Sequence, residues 1–156
     1  MATETERKFL VISDAWRENA IGVTYKQGYL SREKDKTVRI RVAGDDGYVT
    51  IKGAMAADGI SKPEYEYKIP KQDAEEMLAN LCLPCVIEKV RHRVKHEGHV
   101  WEIDVFKGDN EGLTVAEIEL SSPDEAFMKP VWLGAEVSHD SRYSNAALSQ
   151  KPFKVW

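Results

Sequence analysis

The fold is decided by residues 1–12, which read MATETERKFLVI. Within this stretch, Glu4, Glu6 and Lys8 recur at every second position. Side chains two residues apart lie on the same face of a β-strand, because successive side chains point to opposite sides of the pleat. The stretch therefore predicts a first strand with one charged face and a second, mixed face that includes Phe9.

Later segments repeat this alternation with the opposite charge. Residues 37–43 place Arg39 and Arg41 on one face and β-branched residues on the other, which is typical of a strand. A helix is expected from Pro70 onward, with an apolar stripe of Ala74, Met77, Leu78 and Leu81, and a short helix is expected over residues 145–150. The spacing of turn residues predicts about eight strands joined by short connections. The expected strands are residues 1–12, 23–32, 37–43, 48–52, 60–69, 86–95, 100–106 and 113–120. The expected connectors are residues 13–21, 53–59 and 121–134.

The composition predicts a soluble globular protein with a single domain over residues 1–156. Charged residues make up 31% of the chain, but the net charge of −4 argues against a general nucleic-acid binder. No apolar run approaches the roughly 20 residues that cross a bilayer, and the N-terminus lacks an apolar signal segment. A cytoplasmic protein without a membrane or nucleic-acid partner is therefore expected.

Acidic residues recur in pairs that share one strand face. These pairs are Glu4 and Glu6, Glu102 and Asp104, and Glu117 and Glu119. Mg²⁺ and Mn²⁺ prefer such oxygen ligands and complete their shells with water or substrate phosphates. The pairs therefore predict a metal site, although each pair alone is also typical of a solvated surface ladder.

Basic residues follow the same alternation. The set comprises Lys8, Arg39, Arg41, Lys52, Lys89, Arg91 and Arg93. Guanidinium groups bind phosphate oxygens in pairs and ammonium groups act as point charges, so the set is suited to a multivalent anion. One enclosed lumen that holds both charge sets would need a metal and a ligand to offset like-charge repulsion. The alternative is an apolar core with these charges outside.

The segment Glu4-Thr5-Glu6-Arg7-Lys8-Phe9 resembles the ExExK signature of the CYTH family, the triphosphate tunnel metalloenzymes. The similarity continues through Gln27–Leu30, Arg39–Arg41, Thr50–Lys52, Glu88–Arg91, Glu102–Phe106, Glu117–Glu119 and Asp140–Asn145. The small bacterial inorganic tripolyphosphatases are the most similar members. The resemblance implies a mainly β fold (α+β), an eight-stranded antiparallel β-barrel tunnel with a charged interior and a few flanking helices. It also implies a bound triphosphate, a requirement for Mg²⁺ or Mn²⁺, and a homodimer.

The resemblance also assigns roles to individual positions. The implied metal ligands are Glu4, Glu6, Glu117 and Glu119. The implied phosphate-binding residues are Lys8, Arg39, Arg41, Lys52, Lys89 and Arg91, joined by Arg142 if a tail helix closes one end of the tunnel. The supporting acidic lining comprises Glu64, Glu102 and Asp104. The expected catalytic residues are Tyr29, Lys89 and Glu117, with a Tyr29 hydroxyl near Lys89 helping to activate water. Packing roles for Tyr29 and Arg142 remain open alternatives.

The function expected from these features is metal-dependent hydrolysis of inorganic tripolyphosphate to pyrophosphate and phosphate. Three other activities of such a tunnel remain open: a class IV-type adenylate cyclase, a thiamine triphosphatase and a nucleoside triphosphatase. An alternative of another class is a non-catalytic module that binds polyphosphate or a nucleotide. The complete carboxylate set argues against such a module, because binding alone needs mainly the basic residues.

Overall fold

A computed structural model describes residues 2–18 and 20–156 and contains nine strands in one sheet. Met1, expected in the first strand, and Asn19, expected in the first connector, lie outside the described residues. The strands are β1 (Thr3–Val11), β2 (Gly22–Glu33), β3 (Lys36–Ala43), β4 (Asp46–Lys52), β5 (Ser61–Ile69), β6 (Ile87–His96), β7 (His99–Phe106), β8 (Thr114–Glu119) and β9 (Leu133–Glu136). The α-helices are α1 (Lys71–Asn80) and α2 (Asn145–Gln150).

Eight of the strands close into a ring. They follow the order β5-β4-β3-β2-β6-β7-β8-β1, and β1 also pairs with β5, which completes the circle. Every ladder in the ring is antiparallel. The predicted architecture of eight antiparallel strands is therefore confirmed. The ninth strand, β9, pairs with β1 and lies at the end of the predicted connector over residues 121–134.

The main apolar core lies on the outer face of the ring. Phe9 on β1, Trp101 on β7 and Ile118 on β8 belong to one buried cluster, which the connector residues Trp16 and Trp132 complete. Trp101 packs edge-on against both Phe9 and Trp132. The connectors therefore cover the apolar strand faces and leave the charged faces to the lumen.

A second apolar cluster closes one end of the lumen. It consists of Ile87, Phe106, Leu113, Val115 and Leu148. The first of these residues precedes Lys89 by two positions on β6, so its side chain shares the inward face of that strand. Leu148 comes from α2. The cluster therefore packs residues 141–156, the C-terminal segment or tail, against this end of the ring.

Helix α1 covers the outer face of β3 and β4. A side chain at Gly47 would approach the Ala74 methyl group to 3.0 Å, so the glycine lets the helix lie close to the sheet. The sequence pattern also placed Leu81 on the buried stripe of this helix, but that prediction is wrong. The helix ends at Asn80 and the Leu81 side chain is 65% exposed. Among the described residues, neither helix is long and apolar enough to cross a bilayer.

Replacing Trp101 should test the outer core. Trp101 is fully buried, so Trp101→Ala leaves a large cavity and should lower the free energy of unfolding by about 3–5 kcal/mol. Urea unfolding followed by circular dichroism measures this loss. The neighbouring Val100 is exposed, and Val100→Ala is the matched control. Equal stabilities of the two variants would contradict the placement of the core outside the ring.

Candidate active site in the strand ring

The ring encloses a cavity of about 1210 Å³, and all eight strands contribute side chains to its lining. The predicted site residues that line it are Glu4, Glu6, Lys8, Tyr29, Arg39, Arg41, Lys52, Glu64, Arg91, Glu102, Glu117 and Glu119. Lys89 and Asp104 are fully buried and lie behind this lining. Alternation along the strands thus brings both charge sets into one enclosed space.

Asp104 joins two cations at the centre of the ring. Its carboxylate accepts hydrogen bonds from Lys89 Nζ at 2.7 Å and from Arg91 Nε and Nη2 at 2.7 and 2.9 Å. Burial disfavours the charged carboxylate, but the two cations more than offset this and hold the pKa of Asp104 below its ordinary value. Burial lowers the pKa of Lys89 to about 7, and repulsion by Arg91 and Arg41 lowers it further. The attraction of Asp104 opposes this shift but does not cancel it.

Two neighbouring arginines are held in different ways. The Arg39 guanidinium donates to the Thr50 hydroxyl at 3.1 Å and to the Glu66 carboxylate at 3.3 Å. Arg41 Nε instead donates to the uncharged Gln27 amide oxygen at 2.9 Å, and its guanidinium lies 4.8 Å from the centre of the Tyr25 ring. Arg41 is therefore oriented by a neutral side chain and a ring, and its positive charge is left for an anion.

A lysine on β4, the strand next to the two arginines of β3, contacts two carboxylates. Lys52 Nζ lies 2.8 Å from Glu4 Oε2 and 3.3 Å from Glu64 Oε2. Burial alone would raise the pKa of Glu4, but the charge of Lys52 dominates and lowers it. Burial and the nearby Glu4 charge raise the pKa of Glu64 to about 7. The Lys52 ammonium therefore lies close to two carboxylates and stabilises the charged form of only the nearer one, Glu4.

Glu117 also faces two cations. Its carboxylate lies 3.6 Å from Lys8 Nζ and 3.4 Å from Arg91 Nη2. Burial would raise the pKa of Glu117, yet these two cations hold it below the ordinary range. The carboxylate is therefore ionised at neutral pH and can accept a hydrogen bond.

Glu6 lies among like charges. It is directly opposite Glu119 in the β1–β8 ladder, and Glu4 and Glu117 repel it from either side. Burial and these two charges raise the pKa of Glu6 well above its ordinary value. Burial and the charges of Glu4 and Glu102 also raise the pKa of Glu119. Glu4, Glu6, Glu117 and Glu119 form an acidic corner of the cavity. This corner carries more negative charge than Lys52 can offset.

A divalent cation fits this acidic corner. Its donors are carboxylate oxygens, which Mg²⁺ and Mn²⁺ prefer, and a bound cation would relieve the repulsion of Glu6 by Glu4 and Glu117. Within residues 2–18 and 20–156, however, no three acidic, histidine or cysteine side chains already form a ready coordination shell. Glu4 and Glu117 are drawn toward Lys52 and Lys8. The geometry therefore suits a cation whose shell is completed by substrate oxygens.

Two predicted site residues lie elsewhere than the resemblance implied. Tyr25, rather than Tyr29, is opposite Lys89 in the β2–β6 ladder, and its ring centre lies 6.0 Å from Lys89 Nζ. Tyr29 is opposite Arg39 and lines the cavity there. Arg142 does not belong to the lining. Its side chain is 62% exposed and pairs with Asp140, which caps the 3₁₀ turn over Ser141–Tyr143.

Several polar residues that line the lumen or lie directly behind its lining carry no predicted role. They are Gln27, Thr50, Lys62, Glu66 and Asn145. Lys62 and Glu66 share the inward face of β5 with Glu64, so the period-two pattern contained the signal for both. Gln27 and Asn145 lie within segments that resemble the family, but they carry no charge, so alternation alone does not separate them from surface residues.

The fold and this lumen define a class of protein: a strand ring with a charged interior that is suited to a condensed phosphate and a cation. The model of the CYTH domain matches residues 2–150, and the chain belongs to the CYTH family.

Similar proteins agree with this assignment. An inorganic triphosphatase of Acetivibrio thermocellus is 50% identical over 154 residues, which are 99% of this chain and 97% of the relative. An inorganic triphosphatase of Nitrosomonas europaea is 38% identical over 151 residues, 94% of this chain and 97% of the relative. The crystal structure of an inorganic triphosphatase matches with a TM-score of 0.66 and 34% identity, covering 96% of this chain and 95% of that one.

Removing the charge of Glu6 should stabilise the metal-free protein. The pKa of Glu6 is raised in the folded chain, so its ionisation opposes folding as the pH rises above the ordinary value of 4.5. Glu6→Gln should therefore unfold at a higher temperature than the wild type at pH 8 in EDTA, by on the order of 1 kcal/mol in stability. The difference should shrink toward pH 4.

Thermal unfolding at several pH values measures this effect. Glu75→Gln, on the exposed face of α1, is the matched control and should leave the melting temperature unchanged. A Glu6→Gln variant that is less stable than the wild type at pH 8 would contradict the like-charge description of this corner.

Proposed function

We propose that this chain is a metal-dependent inorganic triphosphatase that hydrolyses tripolyphosphate to pyrophosphate and phosphate within the ring. The observation that carries the proposal is the lumen itself, where cations and uncompensated carboxylates meet in one enclosed space. The related inorganic triphosphatases of similar length support it. Residues 1–156 would act as one catalytic unit.

The basic side of the lumen would bind the substrate. Arg41, held by the neutral Gln27 amide, can donate its remaining N–H groups to phosphate oxygens. Lys52 and Lys8 lie at ion-pair distance from carboxylates, so an incoming phosphate would compete with Glu4 and Glu117 for them. Such an exchange keeps each cation paired at every stage and avoids leaving a buried charge alone.

The acidic corner would hold the metal. Glu4, Glu6, Glu117 and Glu119 are the proposed ligands, and the excess negative charge around Glu6 favours Mg²⁺ or Mn²⁺ there. When bound, such an ion would neutralise phosphoryl oxygens and lower the pKa of a bound water. Substrate oxygens would complete the shell, because the carboxylates are not gathered around one point.

The chain's own residues would support an in-line transfer of the phosphoryl group. Arg41 and Lys52 stabilise the charge on the equatorial oxygens as it redistributes. Glu117 is ionised and buried beside Lys8 and Arg91, so it can orient the attacking water by accepting a hydrogen bond. The buried Lys89 keeps the central carboxylate of Asp104 in place behind this group.

Product analysis tests the function directly. The purified chain is incubated with Mg²⁺ or Mn²⁺ and, separately, with tripolyphosphate, ATP or thiamine triphosphate. Tripolyphosphate should yield phosphate and pyrophosphate in equal amounts, and Glu119→Gln should lower the rate roughly 10²-fold because it weakens the proposed metal site. The exposed Glu75→Gln is the control. Pyrophosphate with cyclic AMP from ATP would identify a cyclase, and tripolyphosphate binding without turnover would identify a binding module.

Tyr29 is proposed to assist proton transfer from the attacking water. Its side chain lines the cavity on β2, opposite Arg39. Tyr29→Phe removes only the hydroxyl, so the rate of tripolyphosphate hydrolysis should fall by roughly 10²-fold while the melting temperature stays unchanged. Tyr48→Phe, at another lining position, is the control. An unchanged rate across alkaline pH would assign Tyr29 to packing.

The expected cytoplasmic location and homodimer stay predictions, as does the choice between Mg²⁺ and Mn²⁺. Size-exclusion chromatography with light scattering measures the oligomeric state.

A further inference from the structure

The start of the C-terminal segment reaches the cations of the lumen. The Tyr143 carbonyl accepts a hydrogen bond from Lys8 Nζ at 3.1 Å, and Asn145 Oδ1 accepts one from Lys89 Nζ at 3.1 Å. Asn145 lines the cavity, whereas Lys89 is fully buried and does not. The Asn145 side chain therefore lies where the buried ammonium would otherwise meet the lumen.

The orientation of the Asn145 amide is fixed by its two partners. A lysine ammonium can only donate hydrogen bonds, so the amide atom that faces Lys89 must be the oxygen. The same oxygen accepts a second hydrogen bond from Gln27 Nε2 at 3.0 Å. The two N–H groups of Asn145 Nδ2 are therefore turned away from both partners. Among the residues that the structure describes, Nδ2 makes no hydrogen bond.

We propose that Asn145 is a further substrate-binding residue, whose Nδ2 donates a hydrogen bond to a phosphate oxygen in the lumen. The inference rests on the proposed function, because it takes a condensed phosphate as the ligand. Asn145 transmits the positive potential of Lys89 to the lumen, since an amide whose oxygen accepts from a cation becomes a stronger donor at its nitrogen.

The surrounding hydrogen bonds explain why an uncharged side chain suits this position. Gln27 donates to the Asn145 amide and accepts from Arg41. Two hydrogen-bonded, uncharged amides therefore orient both Arg41 and Lys89. A carboxylate in place of either amide would offset the positive charge that the substrate needs. Lys89 already has one carboxylate partner in Asp104, and a second would place negative charge in the lumen.

The tail is held in place by contacts that do not involve the Asn145 side chain. Ser144 Oγ accepts a hydrogen bond from the Ala147 backbone N–H and caps α2, and Leu148 packs in the apolar cluster at the end of the ring. Asn110 Oδ1 accepts from the Phe153 backbone N–H at 2.8 Å. Truncation of Asn145 should therefore leave the segment docked.

Binding of tripolyphosphate without metal tests the inference. Isothermal titration calorimetry in EDTA at pH 6 keeps Lys89 charged, because burial lowers its pKa only to about 7. Asn145→Ala should weaken binding about 10-fold, the usual cost of one hydrogen bond to a charged group. Asn145→Asp retains both acceptor contacts but removes the donor. It should weaken binding at least as much, with a melting temperature no lower than that of the wild type.

Asn110→Ala is the matched control, because it removes a buried asparagine that docks the tail without touching Lys89. It should bind tripolyphosphate as the wild type does. Wild-type affinity of Asn145→Ala or Asn145→Asp, or a loss in Asn110→Ala equal to that in Asn145→Ala, would overturn the inference. A wild-type chain that neither binds nor hydrolyses tripolyphosphate would instead overturn the proposed function. With Mg²⁺ present, Asn145→Ala should raise KM about 10-fold and change kcat little.

Discussion

The ring depends on the buried contact of Asp104 with Lys89 and Arg91. Removing such charges from water is costly, and it is tolerated only where good geometry and further hydrogen bonds satisfy every group. Asp104 accepts from both cations across the β6–β7 pair, and Lys89 finds its second acceptor in Asn145. The interior can therefore be charged without unpaired ions at its deepest point, and the apolar faces of the strands are left to pack on the outside.

Because the charged strand faces lie inside the ring and the apolar faces outside, the segments between the ring strands have a structural role. Apolar strand faces on the outside of a ring need a cover, which α1 supplies over β3 and β4 and which the Trp16 and Trp132 connectors supply over β1, β7 and β8. The outward Tyr65 and Tyr67 of β5 remain exposed. The C-terminal segment covers the remaining apolar surface at one end and brings Asn145 to the lumen.

Strand positions and faces followed from the sequence because alternation has a period of two and the charges mark one face unambiguously. Register was harder to predict, because it depends on pairing across the sheet. Tyr25 and Tyr29 share a face of β2, and only the β2–β6 ladder decides that the former lies opposite Lys89. The path of the tail was not predictable either. Arg142 carries the charge that drew attention, yet the uncharged Asn145 contacts the buried lysine.

The acidic residues of the lumen fall into two groups: those that stabilise the fold by pairing with cations and those that do not. Asp104 and Glu66 hold cations in place, so their removal would leave Lys89 or Arg39 with fewer partners. Among the described residues, Glu6 and Glu119 form no ion pair, and they lie opposite each other in a ladder, where like charges destabilise the pair. Glutamine would fill the same space in either position without repulsion. The cost to stability thus falls on the residues that the proposed metal requires, and binding of that ion would offset this cost.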